Sequence, residues 1–290
     1  MMGRRLLMLV VGLLLPLFAW AGERVGVALD VTGSVQLISE LNGFEDESPL
    51  QRTNALAVGN RVKLAEGAEV VLMHLASFKR YVVRGPNEVV VKEEGFMPKR
   101  GKAELQGSAA AHGTVLAALG KGRKAVNMPE VAIGVRDVSK KLGDIILASP
   151  QDKERLLPGT VGLRWHPLSG AEKYRVLVKE MGGEVVLEQE VPGESFSLPE
   201  GVLKAAGRYS WMVMDAAGAA QSEPWRFEVV SEAERDELRL MEPAHGAPIS
   251  EQVLYAMVLE KMGVLGEAKR QWQRLHERDP ADALFARKAQ

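Results

Sequence analysis

Hydrophobic positions along this chain change their period more than once. From Val25 to Val91 they fall in short runs broken by tight turns. Val25–Val31 reads as one strand, Thr32-Gly33 as a turn, and Ser34–Ile38 as a second strand with Val35 and Leu37 on one face. Leu41–Asn54 is polar, contains Pro49 and reads as an excursion between strands. Leu56–Leu64, Ala68–Leu75, Tyr81–Val83 and Val89–Val91 complete the series. Turn signals recur about every ten residues, the spacing of a small sandwich or barrel.

A stricter alternation follows from Gly159 to Val230. Leu163 and Trp165 share a face, and so do Tyr174, Val176 and Val178, then Tyr209, Trp211 and Val213. Gly182-Gly183 joins two of these strands as a hairpin, and Trp225–Val229 closes the block. After Ser231 the period becomes helical. Ser231 is placed to cap Glu232–Met241, Ser250 to cap a helix reaching about Met262, and Glu267–Arg278 forms its antiparallel partner. Ala283–Lys288 is a candidate capping helix.

Three family resemblances rest on these residues. Val31-Thr-Gly33-Ser-Val35, Leu56-x-Val58-Gly59-Asn60-Arg-Val62, Glu66-Gly67-Ala68-x-Val70 and Tyr81-x-Val83-x-Gly85-Pro86 resemble the FecR-like domain over about a quarter of the chain. Asn60 stands where that family usually has Asp, and Ser39–Thr53 is long for it. The resemblance implies a β-domain associated with the cell envelope and, in the namesake sensors, with signal relay. The aromatic alternation from Leu163 to Phe227, with Leu203 six residues before Tyr209, resembles a fibronectin type III or immunoglobulin-like sandwich with a tyrosine corner. Leu254-Tyr255-Ala256, Leu259, Gly263, Ala268, Trp272 and Leu275 resemble one tetratricopeptide repeat, a unit that normally needs about three copies to bury its core. Its apolar stripe therefore packs on the sandwich, on a partner, or on another copy of the chain.

The N-terminus changes where such a protein would act. Arg4 and Arg5, the apolar run Leu6–Phe18 and Ala19-Trp20-Ala21 have the layout of a secretory signal, with the mature chain expected to begin at Gly22. The apolar run is about 15 residues, short of the roughly 20 that span a bilayer. A periplasmic or secreted protein, not integral to the membrane after cleavage, is expected. The expected organisation is mainly β and multi-domain: signal 1–21, FecR-like β-domain 22–98, a basic and partly β extension or linker 99–157, sandwich 158–230 and helical hairpin 231–290. Within the extension, Val131–Val135 and Asp144–Ala148 are strand-like and expected to extend the first domain.

Composition then removes whole classes of function. Lys and Arg total 37 against 38 Asp and Glu, which gives no global field for nucleic acid. Cysteine is absent, so no disulfide framework or thiol chemistry is available. The five histidines form no His-x-His or His-Glu-x-x-His grouping, so no metal site is expected. No nucleophile elbow, phosphate loop or calcium loop occurs, so no catalytic residue or cofactor is expected either. The sequence points to a non-catalytic envelope protein that binds or scaffolds a protein or polysaccharide. A glycan-binding module and a FecR-type signal-relay component are the alternatives. Candidate contact residues are Trp225, which the sandwich pattern leaves open, Tyr255 and Trp272 on the helical hairpin, and Lys121, Arg123 and Lys124 in the basic extension.

Overall fold

The computed structural model describes residues 23–41, 43–108, 145–159, 161–167 and 171–290. The first module contains β1 (Arg24–Thr32), β2 (Val35–Leu41), β3 (Phe44–Pro49), β4 (Ala55–Ala57), β5 (Arg61–Leu64), β6 (Glu69–His74), β7 (Lys79–Arg84), β8 (Asn87–Lys92), β9 (Gly95–Pro98) and β10 (Glu104–Ser108). They form two antiparallel five-stranded sheets, ordered β10-β7-β6-β1-β4 and β3-β2-β5-β8-β9. Ala28, Val70, Leu72 and Val83 from the first sheet meet Val35, Val62, Leu64, Val89 and Val91 from the second. The polar stretch read as an excursion contains strand β3, paired with β2 from Gln36↔Pro49 to Leu41↔Phe44. It escapes hydrophobic patterning because it is an edge strand with almost every side chain in solvent.

The sandwich contains β11 (Ile146–Ser149), β12 (Glu154–Leu156), β13 (Gly162–His166), β14 (Lys173–Glu180), β15 (Val185–Pro192), β16 (Ser195–Ser197), β17 (Arg208–Asp215) and β18 (Trp225–Val229). Its sheets run β11-β13-β16 and β12-β18-β17-β14-β15, and β12 lies parallel to β18. This is the A-B-E against A′-G-F-C-C′ order of fibronectin III and immunoglobulin-like folds. Leu163, Trp165, Tyr174, Val176, Val178, Tyr209, Trp211 and Val213 all lie in its core, as their alternation predicts. The backbone N–H of Lys204 donates to the Tyr209 hydroxyl at 2.7 Å, which makes the tyrosine corner.

Segments of the expected extension are strands, and they belong to both modules. Asp144–Ala148 is strand-like in sequence and expected to extend the first module, but in the observed strand, Ile146–Ser149, Leu147 pairs with Trp165 and lies in the sandwich core, so the sandwich begins near Ile145. Glu104–Ser108 does join the first module, beside β7. The signal-like N-terminus, Val131–Val135, Lys121, Arg123 and Lys124 lie outside the described residues.

Four helices follow: α1 (Glu232–Met241), α2 (Ile249–Met262), α3 (Leu265–Arg278) and α4 (Ala283–Ala289). Ser231 caps α1 in a capping box with Glu234. Ser250 does not cap α2. The N-cap is Pro248, two residues earlier, and Ser250 is buried in the first turn of the helix. Gly263 ends α2 in the left-handed region at φ 80°.

The helical hairpin packs against the first module. Val27, Leu29, Val71, Met73 and Val82, on the back of the β1 sheet, form one core with Val253, Leu254, Val258, Leu259, Trp272, Leu275 and Phe285. That sheet is therefore buried on both faces, which is why Val25–Leu29 and Val70–Met73 are continuous apolar runs. A lone repeat-like hairpin needs a surface to complete its core, and here a β-sheet supplies it in place of neighbouring repeats.

Candidate interaction surfaces

Tyr255 and Trp272 are part of this joint and are not displayed on the surface. Trp272 is 1% exposed, its indole N–H donates to Glu260 at 2.9 Å, and its ring lies 6.0 Å from that of Phe285. Lys288 closes over the ring and pairs with Glu260 at 2.8 Å. Tyr255 is also buried, and that burial, reinforced by Glu242 and Glu267, pushes its phenol up to about 12. Trp225 is half-buried, edge-on to Trp211 with ring centroids 6.5 Å apart. It remains the one described aromatic candidate with solvent access.

Three arginines of the β-modules, Arg80 and Arg155 on strands and Arg52 in the β3–β4 turn, fasten the helices, and sequence spacing signals none of them. Arg80, which shares the helix-facing side of β7 with Val82, pairs with Glu251 in the first turn of α2 at 3.0 Å. Arg52 pairs with Asp30 at 2.8 Å, contacts Asp282 and Asp279, and lies 5.1 Å over the Phe285 ring. Its Asp282 partner is also the N-cap of α4, accepting from the backbone of Leu284 and Phe285.

The third, Arg155, works together with its neighbour Glu154 to hold the sandwich on the α2–α3 turn. Arg155 donates its backbone N–H to the Gly263 carbonyl at 3.0 Å and its guanidinium to the Met262 carbonyl at 3.3 Å. Glu154, only 6% exposed, accepts from the Gly266 N–H at 2.8 Å. A cation thus meets the C-terminal end of α2 and an anion the N-terminal end of α3, each matched to the local helix dipole. Arg155 also pairs with Glu228 at 3.1 Å and Glu234 at 2.9 Å. Burial opposes ionisation of Glu234, but the Arg155 and Ser231 hydrogen bonds outweigh it and hold the carboxyl below the ordinary glutamate range. A cleft of about 250 Å³ beside this contact is lined by Pro150, Glu154, Arg155, Pro158, Gly266 and Arg270. Its charged members are already tied up: Arg270 contacts Glu267, and the other two hold the helices.

Among the described residues, no group of three or more His, Asp or Glu side chains could hold a metal ion. His74 is buried between the Ser77 hydroxyl at 2.8 Å and the Glu93 carbonyl at 2.9 Å, a structural arrangement. Among the same residues, no helix is long and apolar enough to cross a membrane.

No family model matches the chain, and no curated protein does. Solved structures similar to it are distant. The fibronectin(III)-like modules of CbhA from Clostridium thermocellum are 15% identical over 30% of this chain and 94% of that one, with a TM-score of 0.23. CopC from Methylosinus trichosporium OB3b is 18% identical over 30% of this chain and 95% of that one, also at 0.23. The adhesin domain of Epf from Streptococcus pyogenes is 11% identical over 73% of this chain and 69% of that one, again at 0.23. At such scores the fold assignment rests on the strand order and the Tyr209 corner alone.

Proposed function

We propose that this protein is an exported, non-catalytic scaffold of the cell envelope, with a FecR-like first module and a fibronectin-like second one. The observation that carries this reading is the joint. Both β-modules are fastened to one set of helices, through an apolar core on one side and the Glu154–Arg155 contact on the other. Such an arrangement holds two rigid surfaces in a fixed relation, which suits recognition of one envelope partner by both modules at once.

The FecR-like reading draws support from the motif glycines. Gly33 sits at φ 77° against Ala68, and a Cβ on Gly85 would meet the Ala65 carbonyl oxygen at 1.8 Å. Both positions exclude other residues for reasons of turn geometry and close approach. Export draws support from the signal-like N-terminus.

Crosslinking in intact cells, followed by mass spectrometry, tests the proposal. The expected result is an envelope neighbour crosslinked to both modules, a chain beginning at Gly22, and loss of the dual contact when Arg155 is replaced by alanine. A chain retaining Met1 in the cytoplasm, or crosslinks confined to one module, would contradict it.

A further inference from the structure

The β2–β3 hairpin outruns its own sheet. Strand β2 pairs with β5 only over Val35–Ile38, but with β3 from Gln36 out to Leu41. Past Ile38 the two strands have only each other as ladder partners, and an isolated two-stranded ribbon is marginal in water. This ribbon also breaks local rules. Glu40 stands directly opposite Glu45, a destabilising cross-strand pair. Arg61 reaches Glu45 from the body of the sheet but is shared with Glu88. Phe44, at the ribbon's end, is 79% exposed, more than any other large apolar side chain among the described residues. Ser39–Pro49 holds Glu40, Glu45, Asp46 and Glu47 and no Lys or Arg. Local rules broken with no gain inside the chain point to a contact outside it.

The opposite edge of the same sheet has the complementary character. Strand β9 and the residues after it present Met97, Arg100 and Lys102 to solvent, together with Lys99, which is already paired with Glu88 at 2.9 Å, and no acidic residue occurs from Gly95 to Ala103. We propose that the acidic ribbon of one copy, led by Phe44, seats on the Met97–Lys102 edge of a second copy. Two ribbons meeting each other would set acid against acid, whereas ribbon on edge sets acid against base and Phe44 beside a methionine. Pro49 and Pro98 lack an N–H, which interrupts any continuous ladder between copies, so side chains make the contact. Because each copy carries both halves, the contact is head-to-tail and can repeat. The inference does not depend on export or on the envelope reading.

Sedimentation velocity of the full-length protein, over a wide concentration range at low and high salt, tests it. Association should grow with concentration, weaken at high salt, and fall about tenfold in apparent affinity in Phe44→Ser. The double variants Glu40→Lys/Glu47→Lys and Arg100→Glu/Lys102→Glu should each be monomeric alone and associate when mixed, since the mixture brings the unaltered acidic ribbon of one variant to the unaltered basic edge of the other. That rescue separates a lost contact from a lost fold. A wild-type protein that stays monomeric throughout overturns the proposal, as does association that survives either double substitution. A monomer whose ribbon instead binds polylysine overturns it too, and assigns the ribbon to a foreign cationic partner.

Discussion

In the sandwich, Tyr174, Val176 and Val178 are buried while Arg175 and Leu177 between them are half-exposed, and β17 repeats the pattern through Tyr209, Trp211 and Val213. In the first module, β1 is buried without interruption from Val25 to Leu29, and β6 from Val70 to His74. The two modules resemble each other in size and architecture, but the first has a core on each side of its β1 sheet. The outer core is completed by helices that arrive after the whole sandwich has been threaded. Alternation marks a sheet with one dry face, and a continuous apolar run marks a sheet with two. The sandwich can therefore stand alone, whereas the first module and the helices form one discontinuous unit.

Paired substitutions of the large buried aromatics should separate the two units most strongly. Trp272→Ala should cost about 3–5 kcal/mol and loosen both the helices and the β1 sheet, while Trp211→Ala should cost a similar amount and loosen only the sandwich. Denaturant titration with hydrogen exchange on each module would show which region responds. Met73→Ala, at the sheet face covered by helices, should cost about 2–5 kcal/mol and lower the protection of α2 and α3 as well as β6. If only β6 responds, the shared core is the wrong description.

How much of this was legible follows from the same physics. The sandwich could be read from strict alternation and from the distance between Leu203 and Tyr209. Most strands of the first module were readable too, but β3, β9 and β10 were not, and neither was what covers the β1 sheet. A run such as Val70-Val-Leu-Met73 reports a second dry face without naming what lies on it. Strand β3 was missed because Phe44–Pro49 is polar and exposed on both faces, although Asn42-Gly43 before it is a strong hairpin signal. Tyr255 and Trp272 looked like anchors for a partner because a lone repeat leaves its stripe open, and the chain closes that stripe itself. The fastening arginines Arg52, Arg80 and Arg155 are far in sequence from their acids, so no spacing rule could find them.

Smaller effects sharpen the comparison at the joint between the two units. Arg155→Ala should cost only about 1–2 kcal/mol, since its partners are partly solvated, but should widen the spread of orientations between the modules in solution scattering. Tyr209→Phe removes one hydrogen bond and should cost about 1 kcal/mol, confined to the sandwich transition in a melt. Acidification should act last and most locally. Glu234 titrates below its unfolded value, so its contribution is present above the ordinary glutamate range and is lost as the pH falls through and below it. Scattering profiles that broaden on acidification in the wild type, but change less in Glu234→Gln, would confirm that link.

The account depends most on the first module needing the C-terminal helices. Hydrogen exchange on a chain ending at Val230 tests this directly. Amides of Val25–Leu29 and Val70–Met73 should lose their protection while those of Tyr174–Val178 and Tyr209–Val213 keep theirs. If the β1 and β6 amides remain as protected as in the full chain, the first module folds by itself and the discontinuous unit does not exist.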